Sequence, residues 1–451
     1  MTNEDLAARV AASMPQAKAD LAELVAIPSV ADPRQYPPER CREAAEWVAK
    51  AFGEAGVQDT RLELTADGSY AVLGHRPPPP GAPTVLLYCH YDVQPPLDAA
   101  AWASPPFELT ERAGRWYGRG AADCKGNIVM NLTALRAFGG DIPVGLKLVV
   151  EGSEEQGTGG LEAFVPPHAD ELRADALLIC DSGNAAAGVP SATTTLRGVT
   201  NVVVTVSTLA QNVHSGMYGG AAPDALAALI RMLDSLRDPD GGTDIKGLDC
   251  YGVWDGVGYD EARFRADAGV LDGVALLGSG TIADRLWARP AVTVLGIDCP
   301  PVVGSVTAVP AKARARVSLR VPPGMDAGAA RDALVAQLKS AAPWGAVVAV
   351  EVEGVGAPFR ASTGGRAYAA LDRAAREAYG KPVAYQGQGG SIPLCNVFAE
   401  TYPDAEIILM GVEEPACHIH APNESVDPAE IEHMALVEAL FLRHYAEHDG
   451  S

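Results

Sequence analysis

The chain has 451 residues, too many for one ordinary core, so two or more domains are expected. With 48% hydrophobic and 20% charged residues it has the composition of a folded globular protein, and its 35 basic against 57 acidic residues (net charge -22) argue against nucleic acid or an anionic membrane as partner. No apolar run approaches the roughly 18 residues of a membrane span, and eight cysteines without a CxxC pair do not make a secreted disulfide framework.

The first thirty residues, MTNEDLAARVAASMPQAKADLAELVAIPSV, read as an acidic amphipathic helix without the basic start and apolar stretch of a signal peptide, so a cytoplasmic location is expected. From there to about Thr195, helical and strand patterns alternate. The spacing predicts a helix over 38–56, strands at YAVLGH and TVLLYCH, a helix over 126–138, a strand over 145–151, a helix over 159–165 and a strand over 176–181. The Pro-rich stretch Arg76–Pro83 reads as an extended connection between neighbouring strands. Strands separated by helical crossovers predict a mainly parallel sheet flanked by helices.

Near Arg197 the texture changes. Asn201–Leu209 alternates polar and apolar residues like a half-buried antiparallel strand. A helix from about Ala222 to Leu236 follows, then a Gly/Asp-rich region from Asp238 to Gly258. Strands return at Ala291–Ile297, Lys312–Arg320 and Val347–Val352, with a helix near Ala327–Ala341. Two helices on one antiparallel sheet predict an α+β insert. After about Pro358 the first texture resumes, with a helix over 365–379, a strand over 405–411 and a helix over 428–446. The predicted fold is α/β: a split domain of residues 1–197 and 359–451, interrupted by an inserted domain at 198–358.

The candidate chemical residues follow apolar strand patterns. His90 and Asp92 follow TVLLYC, Glu154 and Glu155 follow LKLVVEGS, Asp181 follows ALLIC, and His420 lies beyond EIILMGV. In open α/β sheets the ligand site lies outside the carboxyl ends of the strands, so four strands aim carboxylates and imidazoles at one place. Asp123 in GRGAADCKGN adds a carboxylate from a Gly-rich loop. Such a donor set predicts a two-metal hydrolytic centre. Two residues apart on an extended segment, His90 and Asp92 face the same way, so one can ligate while the other accepts the imidazole's second N–H. Adjacent Glu154 and Glu155 repel unless their roles differ, one binding metal and the other moving a proton. HIHAPNES offers both His418 and His420.

In chain order, HYD, GRGAADCKG, EGSEEQG, the Asp of ICDSG and HAPNE resemble the dizinc aminoacylase/carboxypeptidase superfamily of metallopeptidases over nearly the whole chain. Within it, HSGMYGGAAPDAL, TAVPAKARARVSLRVPPGM and GGSIP resemble the cytosolic nonspecific dipeptidase and carnosinase branch. The resemblance implies two divalent metal ions, zinc by the His and carboxylate donors, with manganese or cobalt also compatible. His90 and Asp181 would bind one, Glu155 and His420 the other, and Asp123 would bridge them. The following PNE ties the ligand to His420, leaving Cys417 and His418 as alternative donors under metal excess. Asp92 would orient His90, and Glu154 would be the general base for a metal-bridging water, later protonating the leaving amine.

The same resemblance makes the insert a lid and homodimer interface. His214 would reach the partner subunit's active site to stabilise the oxyanion, and Thr307 and Arg320 would hold a substrate's terminal carboxylate, with a hydroxyl contact from Ser391. The chain departs from the branch at Gln388: members of the branch have a basic or acidic residue before GGSIP, while this chain reads GQGGSIP, which leaves the side-chain preference open. The implied activity is hydrolysis of dipeptides or short peptides with a free carboxylate. Deacylation of N-acyl amino acids is the alternative, and a non-catalytic metal-binding dimer the third reading.

Overall fold

The computed structural model describes residues 1–447. Its chain divides into two compact units. The first comprises Met1–Thr194, Ala361–Gln386 and the chain from Val397 onward, and the second comprises Thr195–Arg360 with Gly387–Asn396.

In the first unit a mixed sheet runs in the order Gln58–Leu64, Tyr70–Arg76, Gly145–Glu151, Thr84–His90, Ala176–Cys180, Glu406–Met410, Ser191–Leu196. Its four central strands, from Gly145–Glu151 to Glu406–Met410, are mutually parallel, and the outer ones pair antiparallel. Central strands covered on both faces need apolar side chains on both, and Ala176–Cys180 is buried at every position. The helix Lys125–Ala137, buried nearly all round, packs on Thr84–His90 and meets the helices Asn3–Val25 and Pro428–Ala446. Each fully buried Leu or Ile on these faces contributes about 1.5–3 kcal/mol of transfer free energy.

The α/β fold with a mainly parallel core and an α+β second unit agrees with the sequence pattern. One expectation is corrected: the strands joined by Arg76–Pro83 are not neighbours, because Gly145–Glu151 lies between them and pairs with both. A step across one intervening strand is only about 10 Å, well within reach of an extended Pro-rich connection. Gln58–Leu64, too polar and exposed to read as a strand, adds the sheet's outer edge.

The second unit carries an antiparallel sheet in the order Ala291–Asp298, Lys312–Val321, Gly198–Ser207, Val347–Gly356. Val202, Val204 and Val206 alternate inward with Ala313, Ala315, Val317 and Leu319. They meet Leu229 and Met232 from the helix Ala225–Asp234, and Leu334 and Leu338 from the helix Ala327–Ser340. Asp224 and Asp326 cap these helices, accepting from the main-chain N–H groups of Leu226 and Ala329.

Candidate dimetal centre

Parallel strands ending in step bring the first unit's polar residues together. His90 closes its own strand, Asp181 follows Cys180, and a one-turn helix Glu154–Gln156 follows Gly145–Glu151. Asp123 comes from the loop before Lys125–Ala137, and His420 from the segment after Glu406–Met410. His90 Nε2 lies 3.0 Å from Asp123 Oδ1 and 3.2 Å from Asp181 Oδ1. His420 Nε2 lies 2.9 Å from Asp123 Oδ2 and 3.2 Å from Glu155 Oε2. Asp123 thus faces both imidazoles, one with each oxygen. His418 is exposed and has no such contact among the described residues.

Asp92 divides its oxygens differently from the simple His–Asp pair. His90 Nδ1 is 3.0 Å from the main-chain oxygen of Asp92 and 3.4 Å from its carboxylate. That carboxylate accepts from the N–H groups of Glu154 and Glu155, at 3.2 and 3.1 Å. One residue therefore steadies both an imidazole and the turn bearing the two glutamates.

Several supports escaped the sequence reading. Gln94 Nε2 donates to Glu155 Oε2 at 2.8 Å. Buried Glu424 accepts from Arg119 Nη1 at 2.7 Å and from the main-chain N–H groups of Gly120, Ala122 and Asp123 at 3.0–3.1 Å. These bonds shape the loop that presents Asp123. Gly120 sits in that loop at φ +80°, where a Cβ would come within 2.6 Å of Val93 Cγ1. Lys125 is fully buried and donates to the carbonyls of Leu24 and Ile27, tying the loop to the first helix. Buried Glu413 shares a potential ligand group with Asp123 and Asp181. The only available signal was position: Glu424 stands in HAPNES and Gln94 in HYDVQ, beside motif residues, with nothing in local periodicity to mark their partners.

His420 holds φ at 62°, a left-handed backbone that non-glycine residues rarely adopt and that recurs where geometry serves a site. Burial pushes the carboxyls of Glu154, Glu155 and Asp181 up, Glu154 to about 9 with the charge of Asp181 assisting. Burial also acts to raise Asp123, but hydrogen bonds from His420 and His90 hold it well below its usual range. His420 is in turn pushed up to about 10 by Asp123 and Glu155.

This donor set fits divalent metal ions. Each Nε2 faces two carboxylate oxygens at once, and Glu155 Oε1 is buried without a hydrogen-bond partner among the described residues. Fully ionised, Asp92, Asp123, Glu154, Glu155, Asp181 and Glu413 would carry more negative charge than two imidazoles can balance. Burial and mutual repulsion answer this by pushing several of these carboxyls up, and bound cations would relieve the same repulsion.

The residues expected to touch substrate lie in the second unit. Val213–His214 pairs with Ala308–Val309, placing His214 opposite Ala308, and Ser215 N–H donates to the Thr307 carbonyl at 2.9 Å. His214 and Thr307 are therefore neighbours. Arg320 is not with them: it pairs with Val199 at one end of the sheet, while Lys312 pairs with Ser207 at the other. The eight extended steps from Lys312 to Arg320 span roughly 27 Å. Ser391 lies beside Gly356, which is paired with Val199 and so shares Arg320's end.

Residues 86–444 match the family described as Peptidase family M20/M25/M40. A cysteinylglycine-S-conjugate dipeptidase of Corynebacterium striatum is 46% identical over 411 residues, covering 90% of each chain. A Cys-Gly metallodipeptidase of Schizosaccharomyces pombe is 30% identical over 330 residues, 68% of this chain and 69% of the relative. Among solved structures, human carnosine dipeptidase 1 superposes with a TM-score of 0.80 at 25% identity, covering 99% of both chains. The chain belongs to peptidase family M20/M25/M40 and is a metallopeptidase, a hydrolase.

Proposed function

We propose that the protein hydrolyses dipeptides bearing a free C-terminal carboxylate, with His90 and Asp181 holding one metal ion, His420 and Glu155 the other, and Asp123 serving both. The carrying observation is the single carboxylate of Asp123 shared between two imidazoles, each with a second carboxylate of its own. Zinc suits these donors, with manganese and cobalt as compatible substitutes. Bound there, the ions supply Lewis-acid polarisation of the scissile carbonyl and an acidified water.

Burial and the neighbouring carboxylates Asp181, Asp92 and Glu155 hold Glu154 protonated unless cations offset them. With that offset Glu154 would be ionised, take a proton from the attacking water and pass it to the amine nitrogen as the C–N bond breaks, releasing two amino acids. Its carboxyl accepts no hydrogen bond from the described residues, so it is free for that task. Asp92 fixes the turn on which it sits.

The second unit serves as lid and dimerisation surface. Two observations support this reading. His214 and Thr307 are about a full strand length from Arg320, so one substrate is served by both sets most simply when His214 and Thr307 come from the partner subunit. Apolar side chains also crowd one exposed side of the unit, with Val294, Leu295 and Ile297 on the edge strand Ala291–Asp298 and Val302, Val303 and Val306 in the loop beyond it. In this arrangement Arg320 grips the terminal carboxylate, Ser391 adds a hydroxyl, and His214 of the partner subunit donates to the oxyanion.

The test is product detection by mass spectrometry after zinc- or manganese-loaded protein meets a pool of dipeptides and matched N-acetyl amino acids. S-substituted cysteinylglycines belong in the pool because the 46%-identical relative carries that activity in its name. Amino acids released from the dipeptides alone support the proposal. Release from the acetylated set alone would make the enzyme a deacylase.

A further inference from the structure

We propose that Cys124 is a sulfur ligand of the metal ion held by His90 and Asp181, so that the two metal positions differ in chemical softness. The inference rests on the dimetal reading above and adds a donor to it.

Cys124 follows Asp123 directly, at the start of the helix Lys125–Ala137, and is fully buried. Its Sγ belongs to one donor group with a His90 nitrogen and an Asp181 oxygen, all within 4.8 Å of one another. The other position draws on Asp123, Glu155 and His420, with no sulfur. The thiol donates to the Cys180 carbonyl at 3.0 Å, which turns its sulfur lone pairs away from that oxygen. Asn127 Nδ2 meanwhile donates to Cys124 Sγ at 3.4 Å.

An amide N–H on the sulfur is the outer support that steadies a thiolate ligand. Asn127 is itself held, accepting from Val412 N–H at 2.9 Å. On binding, the S–H bond is replaced by a sulfur–metal bond, and the proton leaves to solvent. A thiolate beside imidazole and carboxylate favours zinc over the harder manganese.

The test uses the full-length enzyme loaded with zinc, its metal content measured by elemental analysis, and X-ray absorption at the zinc edge. The expected spectrum contains a sulfur shell at about 2.3 Å, one sulfur for every two zinc ions. The shell persists in Cys299→Ser, which removes an exposed thiol, and disappears in Cys124→Ser or Cys124→Ala. Replacement also lowers the preference for zinc over manganese by about ten-fold, the lower end of what losing even an outer partner of a metal ligand costs in affinity. Two zinc ions per chain with only nitrogen and oxygen neighbours overturn the sulfur assignment and leave the dimetal reading standing. A sulfur shell that survives both Cys124 variants overturns it as well. Failure to bind two metal ions at all overturns the dimetal reading on which it rests. The wild-type spectrum decides the question even where a variant does not fold.

Discussion

The proposed metal residues and the proposed substrate residues are built in opposite ways. In the first unit, His90, Asp123, Glu155, Asp181 and His420 come from five places in the chain, yet their donor atoms lie within hydrogen-bonding distance of a neighbour and are fixed by Asp92, Gln94 and Glu424. In the second unit, His214 and Thr307 lie at the short ladder Val213–His214/Ala308–Val309, apart from Arg320 at the Val199 end of the four-stranded sheet, and no comparable web joins them among the described residues. In the proposed arrangement one chain assembles the hydrolytic centre, whereas the recognition set is complete only when two copies meet. On that proposal, preorganisation within one core supplies the chemistry and symmetry supplies specificity.

The sharpest way to break this comparison is Glu154→Gln. It is expected to retain both metal ions by elemental analysis while turnover falls about 10²–10⁴-fold, the scale of a lost general base. Preserved turnover would remove Glu154 from its role. The dimer half of the comparison is sharpened by mixing inactive Glu154→Gln and His214→Ala proteins. Mixed dimers then hold one intact site, and activity returns to about a quarter of wild type when half the dimers are mixed. No recovery despite demonstrated subunit exchange would place His214 in its own chain's site.

A smaller effect tests the web itself. Glu424→Ala strands buried Arg119, so stability in urea should drop by about 3–5 kcal/mol, and metal should bind more weakly because the Asp123 loop loses its anchor. An unchanged midpoint would show the web to be dispensable.

The most gradual effect is a pH dependence, accumulating unit by unit. Burial pushes the Glu438 carboxyl up from 4.5 to about 8, and both its oxygens lack hydrogen-bond partners among the described residues. Its folded-state pKa is raised, so the stability associated with its protonated form is fully present below pH 4.5 and declines as the pH rises toward 8. The slope is about 1.4 kcal/mol per pH unit. Glu438→Gln should remove that slope in denaturant titrations run at several pH values, raising the melting temperature at pH 8 more than at pH 5.

The candidate metal residues were legible because buried parallel strands announce themselves as apolar runs, and a polar residue just beyond such a run falls at the sheet's ligand edge. Residues whose role is to hold another residue gave no such signal. Gln94 and Glu424 act across 61 and more than 300 positions, and no local period encodes a partner that distant. Long-range pairing likewise hid the insertion of Gly145–Glu151 between two strands that follow one another in sequence. It also hid the grouping of Gly387–Asn396 with the second unit, although the surrounding chain belongs to the first. The thirteen-residue spacing of Thr307 and Arg320 suggested a pair. An extended strand turns that spacing into distance, which the number alone did not disclose.

The carboxylate of Glu424 also sets an order of events during synthesis. The loop carrying Asp123 emerges from the ribosome about 300 residues before the acceptor that three of its N–H groups require. Until synthesis passes Glu424, the loop lacks its clasp, and until it passes His420 the second imidazole is missing. The candidate pocket therefore stays incomplete until the chain through Glu424 has been made, and a chain ended before His420 lacks both the clasp and the second imidazole.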